Sequence, residues 1–278
     1  MVASQDLKIL RERYVSSLLL GDASKAKQAV IDAQSRGLGV HAIYVDILDY
    51  SQSVIGEMWH KGQINIGIEH LATVITLEIM SDLRLKASSH RKSNGFRAVI
   101  TPVEGDTHIV GSRMLSDFLI IDGWEVDFMG GPTPAEDLVE FLKDRHVDMV
   151  GISVTNPVYI PNAQSAIRAL KLTNPNIKIL IGGLALNGSE VDLESFDCDA
   201  VALDIFEGVE QARNLVGLTN GGLTLEEHLA AIEGAKYGVC FSSGMSAVDA
   251  CLKLLKSGDH IICSDDVYGG VSRHFNNV

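Results

Sequence analysis

Apolar residues recur every third or fourth position from Gln5 to Ser88, with breaks at Gly21-Asp22, at Arg36 to Gly39 and at Lys61 to Gln63. On a helix such a repeat gathers on one face, and Gly-rich breaks end helices, so the pattern predicts four helices. The third would present Tyr44, Ile47, Leu48, Ile55 and Met58 on one side, and the fourth Ile68, Leu71, Ala72, Ile75 and Ile79. Each stripe has to be buried, and the short connections favour an antiparallel four-helix bundle.

The pattern changes after the polar stretch from His90 to Gly95. Strands are expected over 97–103, 124–129, 147–153, 177–182 and 199–203, with helices near 110–122, 134–145, 160–173 and 206–216. Short apolar runs separated by amphipathic helices give a parallel sheet covered on both faces, and five such units suit a flavodoxin-like, doubly wound α/β fold. From about Thr219 a third segment follows, with an incomplete αβ pattern. The expected organisation is a helical cap at 1–90, a sheet domain at 96–218 and a fragment at 219–278.

A formal net charge of −13 argues against holding nucleic acid by phosphate neutralisation, which needs clustered Lys and Arg. The four cysteines, Cys198, Cys240, Cys251 and Cys263, form no C-x-x-C pair and no zinc-like spacing, which fits free thiols in a reducing cytosol. The first dozen residues are charged, and the apolar stretch after them is too short and interrupted for a signal peptide or membrane span. A soluble, cytoplasmic protein with no membrane contact is expected.

The stretch "EGDTHIVG", residues 104–111, falls where the first strand hands over to a helix, at the sheet edge where doubly wound folds bind ligands. A lone loop histidine is more often a solvated residue than a metal ligand. Two neighbours of His108 change the balance. Asp106 can accept a hydrogen bond from one ring nitrogen, which fixes the tautomer and leaves the other nitrogen free to ligate. Gly111 removes a side chain where a bulky ligand could approach.

D-x-H-x-x-G, here Asp106, His108 and Gly111, resembles the signature of cobalamin-binding domains. In that family the histidine replaces the cofactor's own dimethylbenzimidazole as the lower cobalt ligand, and the displaced nucleotide tail is buried along the sheet. "GISVT" supplies Ser153 and Thr155, and "IGG" supplies Gly182 and Gly183, where the family uses small residues around the tail. The resemblance covers residues 5 to about 218 and implies that His108 holds cobalt. Taken singly, Ser153 and Thr155 also read as ordinary strand-end residues, and the two glycines as a strand-to-loop turn.

"MWHKGQINIGIEHLAT", residues 58–73, places nine residues between Trp59 and the pair Glu69-His70, with His60 after the tryptophan. This is similar to the W-x9-E-H pattern of cobalamin-dependent photoreceptors that use adenosylcobalamin. By that resemblance Trp59 fills space over the adenosyl group and Glu69 accepts from ribose hydroxyls. His60 is the candidate upper cobalt ligand after photolysis, with His70 in reserve. The bland reading makes Trp59 core packing and Glu69-His70 a solvated helix face. The related regulators carry a helix-turn-helix domain before the cap, which this sequence does not have, so direct promoter reading is not expected. The resemblance implies a light-responsive sensor that signals to an unknown protein partner or by self-association. The alternative is a corrinoid methyl carrier, with methylcobalamin in place of adenosylcobalamin, in a methyltransferase system. Neither reading gives the chain intrinsic catalysis.

Residues 224–278 resemble the start of the cofactor domain of the cystathionine synthase and lyase group of pyridoxal phosphate enzymes. Ser243, Gly244 and Met245 match its phosphate loop, and Tyr268 its ring-stacking tyrosine. The Schiff-base lysine and the acidic partner of the ring nitrogen are not among these residues, so functional pyridoxal phosphate is not expected. A truncated fragment of that fold is the expectation for this segment.

Overall fold

A computed structural model describes residues 4–89, 91–187 and 193–218 of the chain. All of them lie in one compact unit, residues 1–219. The expected helices form as α1 (Ser4–Leu19), α2 (Ala23–Ser35), a third rod, and α5 (Ile66–Ser88). Their starts are fixed locally. The Asp22 side chain accepts the Lys25 N–H at the head of α2, and the Asn65 side chain accepts the Ile68 N–H at the head of α5. Each satisfies a backbone donor that the helix itself cannot.

The third rod departs from the simple expectation. It begins as α3 (Val40–Ala42), runs through a π-helical stretch Ile43–Asp49, and continues as α4 (Tyr50–His60). The Tyr50 N–H reaches back five residues to the Val45 carbonyl. One extra residue is thereby held in the turn. Tyr44, Ile47, Leu48 and Ile55 are fully buried as expected.

On α5 the buried face is Ala72, Ile75, Thr76, Ile79, Met80 and Leu83. Leu71, expected among them, is 46% exposed. It lies at the flank of the stripe, where a Cβ on Gly21 would come 2.6 Å from its Cδ2. Leu71 therefore covers the α1–α2 turn.

The second half is a five-stranded parallel sheet built from β1 (Arg97–Pro102), β2 (Glu125–Phe128), β3 (Met149–Ser153), β4 (Lys178–Gly182) and β5 (Ala200–Ala202). Its order is β2-β1-β3-β4-β5, the flavodoxin-like order. The helices between strands are α6 (Val110–Ile121), α7 (Ala135–Leu142), α8 (Ile160–Thr173) and α9 (Ile205–Leu215).

One sheet face packs Val99, Val150, Ile152, Ile179 and Ile181 against apolar residues of α7 and α8. The other packs Ala98, Ile100, Met149 and Leu180 with Leu119 of α6 and Ala212 of α9. The cap core continues across the outer sides of these two helices, taking in Met114 and Phe118 of α6 and the half-buried Ile205 and Val209 of α9. Helices α6 and α9 are thus a layer shared between sheet and cap.

Candidate functional site

The loop after β1 turns sharply and then feeds α6. Asp106 is fully buried within it. Its Oδ1 accepts the His108 backbone N–H at 3.1 Å and lies 2.7 Å from His108 Nδ1, while its Oδ2 accepts the Thr155 N–H at 2.6 Å and the Asn156 N–H at 3.3 Å. One carboxylate thereby ties the His108 loop to the segment after β3. The His108 side chain is 59% exposed. With Nδ1 facing Asp106, Nε2 is the ring atom left to meet a ligand.

The electrostatics follow from these bonds. Burial works to raise the Asp106 pKa, but donation from the His108 ring and from the Thr155, His108 and Asn156 N–H groups outweighs it and holds the carboxyl below its ordinary range. The hydrogen bond to Asp106 raises the His108 pKa against partial burial, and the negative charges of Asp106 and Glu69 add to the rise. Glu69 belongs to α5 of the cap, so the cap field reaches the loop histidine.

Two side chains of the segment after β3 brace the same loop. Gly105 has φ +87°, and a Cβ there would lie 2.7 Å from the Tyr159 ring. Asn162 Nδ2 donates to the Glu104 carbonyl at 2.9 Å. Sequence reasoning did not single out Tyr159 or Asn162. Ser153 ends β3, and its carbonyl accepts the Val103 N–H at 2.9 Å. Thr155 joins the site through its backbone.

Gly182 ends β4, and Gly183 follows at φ +115° with Val154 O only 2.3 Å from where a Cβ would stand. The chain's own backbone crossing is enough to require Gly183. Gly111 is different: it is exposed in the first turn of α6, and a Cβ there would meet nothing within 4 Å. Large apolar side chains stand exposed beyond the strand ends, with Val158 at 66%, Leu184 at 69%, Leu203 at 45% and Phe206 at 53%.

In the cap, Trp59 and His60 end α4, and Glu69 and His70 lie in the first turns of α5. The four residues flank one inter-helix turn. Trp59 is 44% exposed, so it is not core packing. Glu69 Oε1 accepts from Thr73 Oγ1 at 3.1 Å, and its other oxygen lies 3.7 Å from His70 Nε2. His60 and His70 are exposed.

A buried node joins cap and sheet domain. Asp117 of α6 is fully buried. Its Oδ1 lies 2.8 Å from Arg113 Nε and 3.1 Å from Arg84 Nε, the latter an ion pair without hydrogen-bond geometry. Its Oδ2 accepts from the Tyr44 hydroxyl at 2.8 Å, and the hydroxyl oxygen also lies 2.8 Å from Met80 O. Arg113 further donates to Ser81 Oγ at 3.0 Å. Burial pushes the Asp117 pKa up against the two guanidinium groups, and burial followed by the Asp117 charge pushes Tyr44 up. In the sequence Arg113 and Asp117 look like an ordinary i,i+4 surface pair.

Among the described residues no group of three or more His, Cys, Asp and Glu could hold a metal ion. No helix among them is long and apolar enough to cross a membrane. The positions that match the phosphate loop and stacking tyrosine of pyridoxal phosphate enzymes, Ser243, Gly244, Met245 and Tyr268, lie outside the described residues.

Residues 96–216 match the family model described as B12 binding domain, and residues 10–83 match a second model with the same description. Residues 219–278 match the Cys/Met metabolism PLP-dependent enzyme family. Dimethylamine corrinoid protein 1 of Methanosarcina acetivorans is 28% identical over 167 residues, covering 58% of this chain and 76% of that protein. The monomethylamine corrinoid protein of Methanosarcina barkeri superposes with a TM-score of 0.62 at 17% identity, over 76% of this chain and 99% of that one, which shows a shared fold. Human cystathionine gamma-lyase is 54% identical over 54 residues, 19% of this chain. This chain spans only 13% of the length of that enzyme.

Proposed function

We propose that residues 1–218, which carry both B12-binding matches, hold cobalamin between cap and sheet with His108 Nε2 as the lower cobalt ligand. The observation that carries this is the 2.7 Å contact of Asp106 with His108 Nδ1, which directs the free ring nitrogen outward. A single imidazole is a poor site for a bare cation, but it suffices for a metal that brings its own equatorial ligands. Bound there, cobalamin supplies a cobalt–carbon bond that light or a methyltransferase can break. Gly111 fits the same reading, since an exposed glycine in a helix costs about 1 kcal/mol relative to alanine and nothing in the chain's own packing calls for it. The apolar side chains beyond β3, β4 and β5 suit a corrin and a nucleotide tail, with Ser153, Thr155, Gly182 and Gly183 beside the tail.

We assign the chain's role to light-responsive sensing through adenosylcobalamin. Trp59 and Glu69 would cover the upper face, and His60 would take the vacated cobalt position, with His70 as its substitute. The support is that Trp59 is exposed at the end of α4 while the charge of Glu69 is felt at His108. Movement of the cap, residues 1–90, over the domain at 96–218 would then change a surface read by a protein partner or by a second copy. A corrinoid carrier that passes methyl groups between methyltransferase partners is the second reading, and the 28% identity to a dimethylamine corrinoid protein favours it. No pyridoxal chemistry is proposed for residues 219–278.

The test is to load the full chain with adenosylcobalamin in the dark and record absorption and size-exclusion profiles before and after green light. A light-driven spectral change with altered assembly supports the sensor. Tight binding with unchanged assembly supports the carrier, and no binding removes both. In the cob(II)alamin form of protein labelled with 15N-histidine, the nitrogen splitting in the electron paramagnetic resonance spectrum is expected as a doublet from His108, and a triplet, the pattern of the cofactor's own unlabelled base, would remove His108 as the ligand.

A further inference from the structure

The π-helical stretch Ile43–Asp49 lies between two α-helical pieces of one rod, and the far end of that rod carries Trp59 and His60. A π turn holds one residue more than an α turn, so everything beyond it is offset by one position from an uninterrupted helix. Such a register persists only where contacts select it. Tyr44, the second residue of the stretch, supplies one through its hydroxyl on Asp117 Oδ2 at 2.8 Å. Its ring adds edge contact with Phe118, centroids 5.3 Å apart. Both partners sit on α6, the helix that follows directly from the His108 loop.

Just past the stretch, the fully buried Ser51 leaves its Oγ without a hydrogen-bond partner. A buried hydroxyl left unpaired is destabilising, so the present register carries a penalty inside the rod itself. Set against it, Gln52 Nε2 donates to Ala72 O at 3.1 Å and to Thr76 Oγ1 at 2.6 Å. The Tyr44 and Gln52 contacts together hold this register against the unpaired Ser51 hydroxyl.

We propose that Asp117 is a catch that holds the rod 40–60 in its π register through Tyr44. Releasing it lets the rod relax toward α-helix and turns Trp59 and His60 by one residue position. One position is about 100° of rotation and roughly 1.5 Å of rise. Asp117 acts here as a positioning residue, since it sets which way the end of α4 faces. The inference concerns the cofactor-free chain and stands apart from the cobalamin reading.

The chain has two tryptophans, which makes the test direct. Trp59 at the end of the rod is 44% exposed, and Trp124 in the sheet domain is 3% exposed. The cofactor-free full chain would be labelled with 5-fluorotryptophan and its two fluorine resonances assigned with Trp59→Phe. Tyr44→Phe removes only the hydroxyl and keeps the ring. The expected result is a displaced or split Trp59 line with the Trp124 line unmoved. Both lines unmoved would overturn the catch, and both lines displaced would make the node an ordinary stabilising element, which overturns it equally. If Tyr44→Phe does not fold, the triple variant Arg84→Met, Arg113→Met and Asp117→Leu replaces all three charges of the node by apolar side chains, and the same criteria apply.

Discussion

His108 Nδ1 stands 2.7 Å from Asp106 Oδ1, and the carboxylate oxygen that His108 does not use accepts the Thr155 N–H at 2.6 Å. The imidazole is thereby fixed to the loop after β3 through a buried anion, and both oxygens of that anion must be acceptors.

Asp106→Asn cannot meet that demand. An amide offers one acceptor, so its NH2 group would face either the His108 ring or the Thr155 N–H. Stability of the cofactor-free protein should fall by roughly 1–3 kcal/mol, measured by urea unfolding. A loss below about 0.5 kcal/mol, the range of an ordinary surface change, would show that the two loops are held by other contacts.

Gly111→Ala should separate folding from binding. A Cβ at that position meets nothing within 4 Å. The cofactor-free protein should therefore gain about 0.5–1 kcal/mol from helix propensity alone. Affinity for cobalamin should fall in the same variant. Equal affinity in a titration would mean that no ligand approaches this turn.

Gly183→Ala combines a strained φ of +115° with a Cβ 2.3 Å from Val154 O. The expected cost is at least about 3 kcal/mol, since a disfavoured backbone conformation is joined by a clash with main chain that cannot swing away. Thermal unfolding of the variant measures it, and a melting temperature close to wild type would contradict the crossing of β4 past Val154.

Asp199 gives a pH dependence with a definite sign. Burial works to raise its pKa, but Lys171 Nζ at 2.5 Å, the Ile179 N–H at 2.8 Å and the charge of Lys178 prevail and lower it. A folded pKa below the unfolded value gives stability that is present above the unfolded pKa, about 3.9, and is lost as pH falls through the folded one. The stability gap between wild type and Asp199→Asn should be flat above about pH 5 and close toward pH 3. A gap independent of pH would assign it to hydrogen bonding without charge.

Much of this was legible in the sequence, because the informative signals were local. The apolar runs at 97–103 and 177–182 mark buried strands whichever partner they pair with, and β1 and β4 form inside them. Asp106 and His108 lie two residues apart on a loop, so their contact needs no long-range information. The π stretch was hidden because Tyr44, Ile47, Leu48 and Ile55 keep helical spacing well enough to mask one inserted residue. The Asp117 node was hidden because its other partners, Tyr44 and Arg84, are 73 and 33 positions away along the chain. Tyr159 and Asn162 brace the His108 loop through packing and a backbone carbonyl, neither of which leaves a motif.

Helices α6 and α9 give one face to the sheet, through Leu119 and Ala212, and the other to the cap core, through Met114, Phe118 and Ile205, while Val209 packs against both. The polar stretch before β1 is therefore not a line along which the protein could be divided. Cut there, the sheet half would present a greasy outer layer to water, and the helical half would lose the floor on which its interior rests.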